Sequence, residues 1–272
     1  MRTIRIYCIL LALSVAPVLR AQSFSSFILS GKADELAAGD LSFGKWAPQQ
    51  LNYSALQAGV FMAVSPKLGF RLDYRNNLFP AFAQIDENGN ESGTFKPGEQ
   101  RILLGASLRV GESLYIDVNG KYLSTSLAGS KASAFAGDVA VNYVKDNLTV
   151  GIKGADIGSS YTLESTAYSL PMRVLAGASY RLAPAEGHRI LLGADLGYIL
   201  PSEYKAFTAA AGAEYAFNEM ILVRAGYHFS SAVAPRFASF GLGFCFKGFG
   251  LDAAYLLGQE AGAWTVTLRY AF

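Results

Sequence analysis

Apolar and polar residues alternate with a period of two along most of this chain. In 67–75, Leu68, Phe70, Leu72 and Tyr74 alternate with Lys67, Gly69, Arg71, Asp73 and Arg75. In 101–110, Ile102, Leu104, Ala106, Leu108 and Val110 alternate with Arg101, Leu103, Gly105, Ser107 and Arg109. A period of two places successive side chains on opposite faces of a strand. The pattern returns in 114–122, 135–143, 148–155, 172–182, 190–198, 207–217, 221–229, 240–246, 249–257 and 264–272. Upstream, 55–63 carries it and 40–46 carries a weaker form. The prediction is an all-β chain of about fourteen strands, each near the roughly 9–11 residues that a tilted strand needs to cross a bilayer. Reading the weakest segment as a loop lowers the count toward twelve, and even counts are favoured in bacterial barrels.

The connections fall into two kinds. Gly111-Glu112-Ser113, Asp146-Asn147, Asn218-Glu219 and Lys247-Gly248 are short polar turns. The stretches 76–99, 124–133, 157–170 and 230–236 are longer and rich in Gly, Ser, Asn and Pro. Short and long connections alternate, as they do between the two rims of an outer-membrane barrel.

Alternation alone does not say which face meets the core, since a soluble sandwich alternates too. Three features put the apolar face outside, against lipid. The polar face mixes isolated charges with Gly, Ala, Ser and Thr and lacks the Lys and Glu density of a solvated surface. Aromatic residues gather at strand ends, at Tyr74, Tyr122, Tyr143, Tyr198, Tyr227 and Phe229, where headgroup girdles are expected. The last strand runs to Phe272 with Leu268 and Tyr270 at alternate positions, a resemblance to the C-terminal assembly signal of outer-membrane barrels. The expected architecture is a transmembrane antiparallel β-barrel over 40–272, embedded in outer-membrane lipid and inserted by the barrel-assembly machinery.

Composition supports this picture. Hydrophobic residues make up 51% and charged residues 16% of the chain, against roughly 25% charged in soluble domains. No apolar run long enough for a membrane helix follows the first residues. A closed barrel is the other structure that satisfies its backbone groups inside a membrane. Residues 1–21 read as a secretory signal peptide: Arg2 and Arg5, then an apolar stretch, then Ala21 before Gln22. Segment 22–39 fits no strand and is expected to form an N-terminal cap or plug. Without Arg2, Arg5 and Arg20 the chain holds 20 basic and 21 acidic residues, so its basic excess belongs to the leader. No cluster of Lys and Arg suggests a nucleic-acid partner.

Catalytic chemistry is sparse. Cys8 falls in the leader and leaves Cys245 alone, which excludes an intrachain disulfide and a Cys-based zinc site. His188 falls in an expected loop, and His228 on the polar face of its strand. No nucleophile elbow, metalloprotease motif or phosphate loop occurs. Gly241, Gly243, Gly248 and Gly250 read as room for packing and turning. The expectation is a non-enzymatic protein without a cofactor or metal. The lumen face is expected to carry Arg71, Asp73, Arg109, Asp117, Lys121, Asp138, Lys153, Arg173, Arg181, Asp195, Glu214, Arg224, His228, Asp252 and Arg269. Charges of both signs there suit cross-bracing, because buried charges must pair. A filter or a binding site is the alternative role.

Several stretches resemble a known family. They are Leu170-Pro171-Met172-Arg173-Val174-Leu175-Ala176-Gly177-Ala178-Ser179-Tyr180, Gly212-Ala213-Glu214-Tyr215, Leu222-Val223-Arg224-Ala225-Gly226-Tyr227, Gly241-Leu242-Gly243-Phe244 and Leu251-Asp252-Ala253-Ala254-Tyr255. Together with Trp46-Ala47-Pro48 they resemble the PorV/PorQ family of outer-membrane proteins, whose barrels are FadL-like. The resemblance implies fourteen strands and a role as an accessory of type IX-like secretion or surface assembly, with secretion-system components as partners. FadL-like barrels also imply an alternative, a channel for hydrophobic or small solutes.

Overall fold

A computed structural model describes residues 37–48, 53–85, 90–163, 166–200, 205–231, 236–258 and 261–271. The expected leader and most of the expected cap lie outside these residues, as does Phe272. The strands are β1 (Ala37–Pro48), β2 (Tyr53–Ser65), β3 (Leu68–Leu78), β4 (Phe82–Ile85), β5 (Glu91–Phe95), β6 (Gly98–Val110), β7 (Leu114–Leu127), β8 (Ser130–Lys145) and β9 (Leu148–Gly158). They continue with β10 (Tyr161–Leu163), β11 (Thr166–Tyr168), β12 (Arg173–Ala185), β13 (His188–Ile199), β14 (Ala206–Phe217), β15 (Ile221–Ser230), β16 (Phe237–Phe246), β17 (Phe249–Gly258) and β18 (Ala261–Ala271). Residues 37–39, expected in the cap, open β1.

Fourteen of these strands form one closed antiparallel barrel, and β4–β5 and β10–β11 are separate hairpins. Each barrel strand pairs with the next along the chain, and β1 closes the ring against β18, with Ala38 opposite Ala271 and Pro48 opposite Ala261. Closure leaves no unpaired strand edge, which is what a backbone in hydrocarbon requires.

The two rims differ as the connections predict. On one, the chain turns within residues 66–67, 111–113, 146–147, 186–187, 218–220 and 247–248, and the start of β1 meets the end of β18 there. Lys247 and Gly248 have φ of +49° and +83°, the twist-compatible hairpin geometry that a glycine in the second position favours. On the other rim, connections of several residues include the two small hairpins. The expectation of a loop over 124–133 is overturned. Ala128 and Gly129 make a two-residue turn with φ of +48° and +89°, and Ser124 pairs with Ser133 and Leu127 with Ser130. That turn matches the strand twist, so the flanking Ser and Ala residues extend the ladder, and β7 and β8 project beyond the rim.

The apolar face points outward. Leu72, Leu104, Val118, Phe135, Ile152, Leu196, Leu242 and Leu257 are all exposed, Phe135 at 68% and Leu242 at 65%. A belt of large apolar side chains around the whole wall far exceeds the patches that water-soluble proteins expose. Lipid is the solvent that this surface fits, and the chain is a transmembrane barrel. Exposed aromatics mark both edges of the belt: Tyr122 packs on Phe135 with ring centroids 5.4 Å apart, and Phe249 on Tyr270 at 4.5 Å. His188, expected in a loop, instead opens β13; its Nδ1 lies 2.7 Å from the Tyr215 hydroxyl, at the short-turn rim.

Candidate functional site: the barrel lumen

The inward face carries charged, small and apolar residues in separate sectors. The first charged sector sits on β7, β8, β9 and β12. Its centre is a break in the ladder: Gly137 faces Ile157 and Val139 faces Gly154, so Ala155 and Asp156 together oppose Asp138. This is a β-bulge. Asp156 adopts φ +57°, a left-handed conformation that Asp tolerates better than most residues. Strict alternation places Asp156 outside with Ile152 and Gly154; the bulge turns it inward.

Inside, Asp156 takes Lys121 Nζ at 2.7 Å and Arg173 Nη2 at 2.5 Å. Its backbone N–H donates to Asp138 Oδ1 at 3.0 Å. Asp138 also takes Lys121 at 2.6 Å and Lys153 at 3.1 Å. Three cations thus brace two carboxylates across four strands. These ions are largely out of water, so their mutual contacts offset a large desolvation cost.

The second sector spans β13 to β18 near the short-turn rim. Glu214 receives Arg224 Nε at 2.6 Å and Arg189 Nη1 at 2.9 Å. Arg224 also pairs with Asp252, which Arg269 approaches at 3.5 Å. Arg189 continues the chain to Glu219 in the turn, at 2.6 Å. Gly243 lies directly across from Asp252, and a Cβ there would meet the Asp252 carboxylate and Leu222. The small residue is therefore part of this network's geometry.

The other expected lumen residues are spread along the wall. Asp73 is paired with Arg71 and is 1% exposed. Asn142 donates to Asp117 at 2.7 Å. Arg109 donates to the Glu112 carbonyl at 2.7 Å and sits over the Tyr115 ring. Arg181 faces the lumen side of its strand but lies exposed at the short-turn rim. Asp195 is half-buried on the lumen face of β13. His228 stacks on Phe237, with centroids 4.9 Å apart and an interplanar angle of 12°. Leu268 and Tyr270 of the expected assembly signal project outward.

Asp156, Glu99 and Arg189 are among the charged residues here that the alternation did not place on the lumen face. Asp156 was hidden by the bulge. Glu99 precedes Arg101 by two residues and so shares its face, a signal that extending the period by one step would have caught. Arg189 was hidden because its strand begins two residues earlier than the pattern indicates.

Above the second sector, the wall of β13–β18 is mostly small and uncharged, apart from Asp195 and His228 at the level of Ala210. Going away from Glu214, Arg224 and Asp252, its lumen positions include Gly197, Ile199, Ala206, Thr208, Ala210, Gly226, Ser230, Phe237, Ala254, Leu256, Ala263 and Thr265. The mouth at the long-connection rim is apolar too. Leu123, Ala132, Ala134 and Ala136 of the projecting hairpin form one buried cluster with Tyr161, Leu170, Ile199 and Ala206. The β10–β11 hairpin folds onto it, with Tyr161 and Tyr168 stacked at 5.7 Å. Across the mouth, Tyr53 packs on Phe79 at 5.1 Å. An apolar cluster at this rim thus meets a lumen wall that is mostly uncharged on upper β13–β18, interrupted by Asp195 and His228, and densely charged on β7–β12. Among the described residues, no group of three or more His, Cys, Asp or Glu is placed to hold a metal ion.

No protein-family model matches the chain, and no curated protein sequence does. Solved structures do match in fold. The toluene transporter TodX of Pseudomonas putida aligns with a TM-score of 0.61 at 13% identity, covering 92% of this chain and 93% of that one. The toluene transporter TbuX of Ralstonia pickettii aligns at 0.62 and 12% identity, covering 90% and 91%. The monoaromatic hydrocarbon channel CymD aligns at 0.60 and 13% identity, covering 90% and 92%. At these identities the likeness is one of fold alone.

Proposed function

We propose that this chain is a non-enzymatic outer-membrane channel that admits small hydrophobic solutes. The observation that carries this reading is the apolar rim cluster, continuous with a lumen wall of mostly small, uncharged residues, inside a barrel that shares its fold with hydrocarbon channels. The long-connection rim faces outward and the short-turn rim faces the periplasm, as in outer-membrane barrels generally. An apolar solute partitions into the mouth because burial removes its surface from water, about 25 cal/mol per Å². The small residues of upper β13–β18 keep bulky side chains off that side of the lumen, beside the ion pairs.

The test is uptake of labelled toluene by cells with a lipopolysaccharide outer membrane and no hydrocarbon channel of their own. Expression of the folded barrel should raise the initial uptake rate several-fold and leave sucrose entry unchanged. Equal toluene uptake with and without the barrel would sink the reading.

The PorV/PorQ-like stretches favour a second reading, an accessory of type IX-like secretion. It has no support from the fold comparisons beyond the shared FadL-like architecture. It requires co-purification with secretion components and loss of surface-displayed cargo in a deletion strain. Normal cargo display in that strain would remove it.

A further inference from the structure

We propose that Asp195 and the stacked rings of His228 and Phe237 form a lumen site for a protonated amine with an aromatic body. One row of the wall holds all three. Asp195 on β13 lies opposite Ala210 on β14, Ala210 opposite His228 on β15, and His228 opposite Phe237 on β16. Asp195 and His228 are therefore two strand spacings apart, roughly 10 Å between backbones. On that row only the methyl group of Ala210 stands between them.

Asp195 differs from the other carboxylates of the lumen. Asp73, Asp117, Asp138, Asp156, Glu214 and Asp252 each accept a hydrogen bond or pair with a cation. Among the described residues no group donates to Asp195 and no cation pairs with it. The cause is local. Its neighbours along β13 on the same face are Gly193 and Gly197, and its partner on β12 is Gly177. With Ala210 on the other side, no nearest position along or across the sheet carries a side chain larger than a methyl group. The cations of both networks are held by other carboxylates. A half-buried carboxylate without a partner in the protein carries a desolvation cost that a cation from outside would offset.

The chemistry of the ligand follows from the two ends of the gap. A carboxylate takes its strongest hydrogen bonds from a charged donor such as an ammonium. At the other end His228 and Phe237, within 12° of parallel and with centroids 4.9 Å apart, offer ring surface. Aromatic bodies pack on such rings in offset or edge-on contact. Gly212 and Gly226, paired with each other and next along their strands from Ala210 and His228 on the lumen face, leave the floor beside the gap flat. An aromatic ring bound there reaches Asp195 with its ammonium, whereas a small aliphatic cation uses one end alone. The proposal rests on the channel reading and widens it, from uncharged hydrophobic solutes to aromatic amines.

Benzylamine, which is protonated at neutral pH, tests the site. Equilibrium binding of the labelled amine is measured on the full, detergent-folded chain, with the shift in gel mobility on heating as the check of folding. Wild type should bind it saturably. Asp195→Asn keeps the shape of the side chain and removes its charge, and should bind at least tenfold more weakly. Asp195→Glu keeps the charge and should bind within about threefold of wild type. Ala210→Leu leaves Asp195 in place and fills the gap, and should also lose at least tenfold. No saturable binding by wild type, or binding by Asp195→Asn as tight as that of wild type, overturns the site. Unchanged binding by Ala210→Leu overturns its placement between Asp195 and the stacked rings. Propylamine or potassium ion competing as well as unlabelled benzylamine overturns the assignment to aromatic amines. Toluene uptake by cells expressing wild type is measured separately. If uptake fails while benzylamine binding depends on Asp195, the channel reading falls and the site stands. If uptake holds and benzylamine does not bind, the site falls and the channel reading stands.

Discussion

Replacing Asp156 separates the two jobs that this residue does. Its carboxylate joins Lys121 and Arg173, and its backbone occupies a left-handed conformation at the β8–β9 bulge. Asp156→Asn removes the charge and keeps a side chain that accepts φ near +57°. Breaking a buried ion pair from one side costs about 3–5 kcal/mol. The side chains of Asp156 and Arg173 retain 14% and 16% exposure, and Lys121 keeps Asp138, so the lower end applies, about 3 kcal/mol. Asp156→Ala loses the same contacts and adds the left-handed penalty of a β-carbon without a polar group, about 1 kcal/mol more. Asp156→Gly loses the charge without that penalty and should fall with the asparagine variant. The measurement is reversible urea unfolding in lipid vesicles, followed by the fluorescence of Trp46 and Trp264. An asparagine variant within about 0.5 kcal/mol of wild type would refute the bracing role. Equal stability of the alanine and asparagine variants would refute the backbone argument.

The orientation of the wall is tested by Leu104→Arg, which places a charge on the exposed belt and should cost about 2–4 kcal/mol in the same assay, whereas Ser239→Arg on the lumen side should cost far less. Gly243→Ala should lower the folded fraction, read as heat-modifiable protein on gels, because its methyl group meets the Asp252 carboxylate and Leu222; combining it with Asp252→Ala should recover part of the loss. Removing Asp252 alone takes one of two carboxylates from the Arg224 guanidinium. The loss should be about 2–3 kcal/mol, and a double replacement of Arg224 and Asp252 by apolar residues should cost less than the sum of the two single losses. Leu123→Asp puts a charge in the apolar mouth and should slow toluene uptake several-fold in cells that hold the same amount of folded barrel.

The exterior of this protein was legible in the sequence because a strand has a period of two and lipid tolerates little but apolar side chains. Leu68 to Tyr74 and Ile102 to Val110 announce both the strand and its outward face, and fourteen such segments are enough to close a ring. The lumen face of Asp138, Arg224 and Asp252 follows from the same parity. What parity cannot carry is a break in itself. The bulge at Ala155 and Asp156 changes which residues face inward, and its cause is a pairing between strands. The turn at Ala128 and Gly129 is similar: a stretch of Ser, Ala and Gly reads as a loop until the register shows its residues opposite one another. Which charge meets which was also beyond the sequence, since an ion pair depends on the stagger of neighbouring strands and a sequence records only the order along one. The sequence by itself determined a barrel and its two faces. Only the pairing of strands decided that Arg75 stands against Arg101, that Asp156 joins Lys121 and Arg173, and that the mostly uncharged upper wall of β13–β18 continues from the apolar rim cluster, because each depends on the register between strands.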